Sequence, residues 1–130
     1  MNKANIDIII LDQIDSTNNE AQRALSYKSN FPFWIIANEQ TSGRGRKNRY
    51  WVSQKGNFMG TFVLEHKIEK QYIPHLSFVT SLALRETIEG FNKGDKEIFL
   101  KWPNDIIIKD SKCAGILIES LKSNSDKEYL

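Results

Sequence analysis

An α+β fold, a mixed and mainly antiparallel sheet with helices packed against it, is what this 130-residue sequence predicts. Three observations carry that prediction. β-Branched apolar runs recur along the chain, one long segment repeats its apolar residues at helical spacing, and two late apolar runs meet at a short polar connection. In chain order the elements read β-α-β-loop-β-α-β-β. Residues 1–130 read as a single domain, without internal repeat, low-complexity tract or linker.

"IDIIILDQI" (6–14) is a β-branched run that reads as a buried strand. "DSTNNEAQRAL" follows, where Ser16 or Thr17 can cap a helix that carries Ala21, Ala24 and Leu25 on one face. "FPFWIIANEQ" (31–40) opens with Pro32 and continues as a second buried strand, and "NFMGTFVLEH" reads as a third. "IPHLSFVTSLALRETIEGF" (73–91) places Leu76, Val79, Leu82, Ala83 and Ile88 near one stripe, and Gly90 or Gly94 can end that helix. "EIFLKWPNDIIIKDSKCAGILIES" (97–120) gives a short strand, a Trp-Pro-Asn turn, and two apolar runs joined at "KDSK" as a hairpin. The polar tail "LKSNSDKEYL" is expected to fray.

A net charge of +2 makes no case for nucleic acid, and 40% hydrophobic residues suffice for a core. Cys113 is the only cysteine, which excludes an intramolecular disulfide and points to a reducing cytoplasm. The first apolar run is too short for a membrane span and lacks a small-residue cleavage site.

Charge is instead concentrated. Between Glu39 and Glu65 there is no acidic residue, yet five cations and four of the seven glycines fall there. In "QTSGRGRKNRYW" the glycines permit close backbone approach, and Arg44 and Arg46 offer forks that match carboxylates and phosphates. Trp51 could cover a ligand face. A mobile basic loop with Trp51 anchored in the core fits equally well. Neither a P-loop nor a dinucleotide fingerprint is present.

Three other constellations stand out. "DSTNNE" puts hydroxyls and an amide where a strand meets a helix N-terminus, a place for a polar ligand group or a plain helix cap. "LKWPNDIII" sets Lys101, Asn104 and Asp105 between apolar runs, where charges need partners or a ligand; the alternative is a turn with Trp102 in the core. In "KCAGILIE", Lys112 precedes the small residues Ala114 and Gly115, and a lysine there suits an acyl-phosphate oxygen or is a surface lysine at a hairpin.

Taken in order, "DSTN", "QTSGRGR…R.W", "KWPND" and "K.AGILIE" resemble the catalytic core of the biotin–protein ligases, over about Leu11 to Glu119. That resemblance implies a fold like the class II aminoacyl-tRNA synthetase and biotin synthetase cores. It implies activation of biotin by ATP with Mg2+ to biotinyl-5′-AMP, then transfer to a lysine of the biotin carboxyl carrier protein of acetyl-CoA carboxylase. Carried over by position, Ser16, Thr17, Asn18, Gln40, Gly43, Arg44, Gly45, Lys112 and Gly115 would serve biotin. Arg44, Arg46, Trp51, Lys101 and Asn104 would serve ATP and the adenylate. Arg46, Lys112 and Asp105 would act in catalysis, with Asp105 helping to deprotonate the acceptor lysine. No side-chain motif for a metal is read, Mg2+ being expected with ATP.

The departures are Asn48, where the family usually has glycine, and Gln54, where proline is common. Asn tolerates left-handed φ, so the loop can survive. The family continues beyond "AGILIE" into further core and a small β-domain, so the chain reads as the N-terminal part of a core, without a winged helix. A strand edge left open there would invite homodimerisation. Four close cations predict that residues 43–51 lack order until a phosphate neutralises them. The rival readings are a lipoate–protein ligase-like enzyme, a remnant that binds biotin or carrier without turnover, and an RNA-binding module using "GRGRKNR".

Overall fold

Alternation of side chains decides what the first apolar run can bury. The run forms β1 (Asp7–Ile14), in which Ile9 and Leu11 pack towards the core while Ile8 and Ile10 are 57% and 69% exposed. The expectation of a buried strand therefore holds for one face only. A β-branched run has the same composition whether one or both faces are covered, so composition could not tell them apart.

The computed structural model describes residues 6–91, 97–123 and 127–130, and the chain divides into two units, Met1–Lys67 with Glu119–Leu130, and Ile68–Ile118. In the first, β1 leads into α1 (Thr17–Ala24) and then β2 (Phe33–Gln40), which lies parallel to β1 with Ile9 opposite Ile35 and Ile14 opposite Gln40. β3 (Met59–Val63) joins β2 in antiparallel register. α1 lays Ala21 and Ala24 onto Phe33, Ile35 and Val63, all fully buried. The small alanines let the helix approach the sheet closely enough to exclude water from that face. On the opposite face Trp34 packs with Phe58 and Phe62.

The third apolar run does not end at β3: after Leu64 it continues as the short β4 (Glu65–His66). The tail was expected to fray and instead pairs with it. Leu121–Lys122 forms β8 and Glu128–Tyr129 forms β9, the latter running antiparallel to both β4 and β8. Leu64 and Leu130 exchange backbone hydrogen bonds at 2.9 and 3.0 Å, and Tyr129 stacks on Phe31. Two apolar residues at the end of a polar segment, Tyr129 and Leu130, supply that anchor, and both are buried.

In the second unit, a 3-10 segment (Lys70–His75) leads into α2 (Leu76–Phe91), and β5 (Ile98–Lys101), β6 (Asp105–Ile108) and β7 (Ser111–Gly115) form an antiparallel meander. α2 packs on β5 and β6. The helix is rotated so that its apolar stripe is only partly covered: Leu76 and Ile88 are half-buried, Val79 is 60% and Leu82 47% exposed, and Ser81 is buried. Polar anchors set this rotation, Ser77 donating to Pro103 O at 3.0 Å and Arg85 to Ile98 O at 3.2 Å. Gly94, a candidate helix terminator, lies outside the described residues. Among the described residues one strand pair is parallel and five are antiparallel, the mixed and mainly antiparallel arrangement expected.

Candidate functional site

Because β1 and β2 run parallel, their C-terminal ends share one edge of the sheet, and Gln40 lies beside the turn into α1. Its Oε1 accepts from both the backbone N–H and the hydroxyl of Thr17, at 2.8 and 2.9 Å. A side chain from another strand thus satisfies a helix-start N–H that has no partner within the helix. Ser16 occupies the N-cap position but makes no capping bond, so the expected Ser/Thr cap is replaced by Gln40. The opposite end of the Gln40 amide donates to Ser53 Oγ at 2.9 Å, and Ser53 donates to Trp51 O at 3.3 Å.

Thr61 on β3 extends this network. Its register partner is Ile35, which places it on the α1 side of the sheet. There its hydroxyl meets Thr17 Oγ1 at 2.8 Å and Asn18 Oδ1 at 2.5 Å. The Asn18 amide nitrogen donates to Glu119 Oε2 at 2.7 Å. Arg44 grips the same carboxylate in a fork, Nη2 to Oε2 at 2.7 Å and Nε to Oε1 at 3.2 Å. Its third nitrogen donates to Asn19 Oδ1 at 2.6 Å and to Ser16 Oγ at 3.3 Å. Burial pushes the Glu119 carboxyl up, but the bonds from Arg44 and Asn18 and the Arg44 charge outweigh it and leave the group below its usual range.

The loop that was expected to lack order without a ligand is held by its own contacts. Trp51 N–H donates to Gly43 O at 2.9 Å, Gly45 N–H to Arg49 O at 2.7 Å, and Arg44 bridges Tyr50. At the tip, Arg46–Asn48 form a 3-10 turn in which Lys47 and Asn48 adopt φ of 57° and 56°, the conformation that Asn48 was expected to tolerate. Gly43 is needed for space: a Cβ there would lie 2.4 Å from Ser53 Oγ and 2.6 Å from Trp51 O. The glycine therefore serves an approach of the protein to itself. Trp51 is half-buried, and Arg46 and Arg49 are exposed with no side-chain hydrogen bond or ion pair among the described residues.

In the second unit the β6–β7 hairpin turns at Lys109 and Asp110, whose φ values of 49° and 60° define a tight two-residue turn. The register shifts between Ile106 and Ile107, so Ile107 faces Lys112 and Cys113 is the extra residue. Lys112, opposite Ile107, lies on the face that Asp105 shares with Ile107 two residues on, and its ammonium meets Asp105 Oδ1 at 2.7 Å. Asp105 Oδ1 is shielded from solvent and has this ion pair but no hydrogen bond of good geometry among the described residues. Asn104 donates to Ile116 O and accepts from Ile116 N–H through its own carbonyl, extending the ladder. Gly115 stands opposite Asp105.

Two expectations about this segment change. Lys101 is exposed instead of lying in a buried setting, and Trp102, read alternatively as core, is 74% exposed. Lys101 is the last residue of β5, opposite Asp105, and Trp102 opens the turn at 102–104.

Sequence reasoning assigned no role to Glu119, Thr61, Ser53 or Asn19. For Glu119 a signal existed: it is the only carboxylate between Asp110 and Asp126, at the end of an apolar run. Thr61, a polar residue inside a strand, carried no comparable mark.

The biotin/lipoate A/B protein ligase family model matches residues 10–129 and so runs through both units. A biotin–[acetyl-CoA-carboxylase] ligase of Paracoccus denitrificans is 40% identical over 111 residues, covering 85% of this chain and 46% of that protein. The bifunctional ligase/repressor BirA of Bacillus subtilis is 34% identical over 86% of this chain and 34% of its own length. Among solved structures, the biotin protein ligase of Leishmania major in complex with biotinyl-5-AMP superposes with a TM-score of 0.79 at 29% identity, over 95% of this chain and 54% of that one. The Aquifex aeolicus biotin protein ligase in complex with biotin and ATP gives 0.71 at 29% identity, over 95% and 49%. The chain spans less than half the length of the curated relatives it matches.

Proposed function

The chain belongs to the biotin/lipoate A/B protein ligase family, and on that premise we propose that it is catalytic core of a biotin–protein ligase, which makes biotinyl-5′-AMP from biotin and MgATP and passes biotin to a carrier lysine. The observation that carries this reading is the hydrogen-bonded frame around the start of α1, with two arginines left bare on the adjoining loop. Ser16, Thr17, Asn18 and Gln40 present both donors and acceptors, which suits the ureido ring of biotin. Gly43, Arg44 and Gly45 close the frame.

In the proposed first step an oxygen of the biotin carboxylate attacks the α-phosphorus, and the bond to pyrophosphate breaks. This crowds anions together, and a positive group aimed at the reacting phosphate lowers that cost. Arg46 is exposed and uncommitted, and we assign it this role; Trp51 would cover the adenine. Lys112 supplies a second positive charge, with Gly115 beside it on β7, and Lys101 and Asn104 serve ATP. Mg2+ is proposed to arrive with the nucleotide, whose phosphate oxygens supply ligands. In the second step the carrier's amine attacks the acyl carbon, AMP departs with the bonding pair, and Asp105 is the proposed acceptor of the proton.

The proposed partner is the biotin carboxyl carrier protein of acetyl-CoA carboxylase, as the name of the Paracoccus relative suggests. The proposed setting is the cytoplasm; no described helix is long and apolar enough to cross a membrane. We assign residues 1–130 to one catalytic-core domain, supported by the family match through both units.

Calorimetric titration of biotin, with and without a non-hydrolysable ATP analogue and magnesium, tests the reading, followed by biotin-dependent pyrophosphate exchange. Biotin binding with exchange is the expected result. Binding without exchange identifies a non-catalytic biotin binder, and exchange driven by lipoate in place of biotin moves the chain to the lipoate branch.

A further inference from the structure

Glu119 belongs to none of the groups assigned to the reaction, yet its carboxylate receives three of the hydrogen bonds that close the frame. An ionised carboxylate can only accept. The Asn18 amide must therefore turn its NH2 towards Glu119, and its carbonyl is committed to Thr61. Thr61 has one hydroxyl proton, and both the Asn18 carbonyl and Thr17 Oγ1, whose own proton goes to Gln40, stand ready to accept it. A single charge thus orients the Asn18 amide and turns its carbonyl towards the Thr61 hydroxyl.

The same carboxylate governs Arg44. Its fork is spent on Glu119, and its remaining nitrogen on Asn19 and Ser16. Ser16 Oγ accepts from Arg44, which leaves the Ser16 proton free for a ligand acceptor. Arg44 differs in this from Arg46, two residues away, which carries no such bonds among the described residues. The Arg44–Glu119 pair joins the basic loop to the start of α1 across 75 residues of sequence.

We propose that Glu119 is a positioning residue of the biotin half-site, acting through Asn18 and Arg44 to set which of the Ser16–Asn18 groups donate and which accept. The proposal rests on the biotin reading above, and Arg44 thereby becomes a strut of the half-site while the phosphate falls to Arg46. Replacing Glu119 with glutamine keeps the size but removes the charge and sets an NH2 against at least one of the three donors, so the hold on Asn18 and Arg44 weakens.

The test is Glu119→Gln in the full chain, with biotin affinity read by calorimetry and KM for biotin and for ATP read by pyrophosphate exchange. Biotin affinity should fall about 10-fold or more, the loss expected when a charge-assisted bond is replaced by facing donors. KM for ATP should stay within about 2-fold, because a general loss of fold would move both substrates together. In an Asn18→Ala background the same change should cost markedly less, since the route through Asn18 is already cut. If Glu119→Gln does not fold, Glu119→Asp keeps the charge one methylene short and should show the same split in smaller measure. Equal biotin affinity in wild type and variant, parallel losses for biotin and ATP, or full additivity with Asn18→Ala each overturn the proposal while leaving biotin ligation intact. A folded wild type that binds no biotin overturns the functional reading itself, and this inference with it.

Discussion

The two units solve one problem, holding charged and polar groups ready for a ligand, in opposite ways. Around the start of α1 the polar groups are interlocked: Gln40, Thr17, Thr61, Asn18, Glu119 and Arg44 each bond to at least one other. In the β5–β7 meander Lys112 forms an ion pair with Asp105, and its lysine side chain is 37% exposed. An interlocked frame fixes donor and acceptor directions in advance, which is what recognition of a neutral ring requires. A half-exposed ammonium is a movable point charge, which suits a group that must follow a reacting phosphate. Changes in the first region should therefore cost affinity and stability, and changes in the second should cost rate.

Lys112→Ala gives the largest contrast. Pyrophosphate exchange should drop about 100- to 1,000-fold, as for loss of one charge-stabilising donor, while the unfolding free energy moves by less than about 1 kcal/mol because the pair is partly solvated. An equal loss of stability would erase the distinction. Gln40→Leu probes the first region from the other side. It strands the Thr17 N–H and hydroxyl and Ser53 Oγ, and should cost about 1–3 kcal/mol in denaturant unfolding together with biotin affinity. Gly43→Ala drives a methyl into Ser53 and the Trp51 carbonyl, and overpacking of that kind costs about 1–3 kcal/mol. An unchanged melting temperature would show that the loop is not packed as described.

Acid sharpens the same contrast. Glu119 titrates below its ordinary 4.5 in the folded chain. Asp15 falls below its ordinary 3.8, chiefly through the Arg23 hydrogen bond and then that of Asn19. For both, the unfolded chain takes up the proton first as pH falls. Their stabilisation is thus complete above about 4.5 and is lost as pH drops through the lowered folded values. Thermal unfolding followed from pH 6 to 3 should show the decline, and Glu119→Gln should remove the Glu119 share. The Asp15–Arg23 pair is exposed, so its share should shrink with salt. The smallest effect is expected at Trp102, which is 74% exposed: Trp102→Ala should leave stability within about 0.5 kcal/mol, measured by the same unfolding curve.

Much of this was legible beforehand, and the gaps have physical causes. The strand and helix positions follow from local periodicity, which is a property of the chain itself. β1 was misjudged because Ile8 and Ile10 belong to the same run as Ile9 yet face the opposite way. The tail was misjudged because two apolar residues, Tyr129 and Leu130, outweigh a polar segment once a partner strand exists for them. α2 was rotated because hydrogen bonds from Ser77 and Arg85, invisible to an apolar stripe, fix its face.

By itself the sequence determined the order of elements, the acid-free basic window between Glu39 and Glu65, and the motif succession that the family match bears out. Any counter-charge for those cations had to come from a distant part of the chain, since none is local. Which cation is paired and which is left bare was decided only in three dimensions. Arg44 and Arg46 share one dipeptide repeat, yet Arg44 meets a carboxylate 75 residues away and Arg46 stays exposed. Likewise the β6–β7 register sets Lys112 on the face of Asp105. Side-chain direction and long-range pairing depend on register and on the packing of remote strands, and neither is encoded in any window of neighbouring residues.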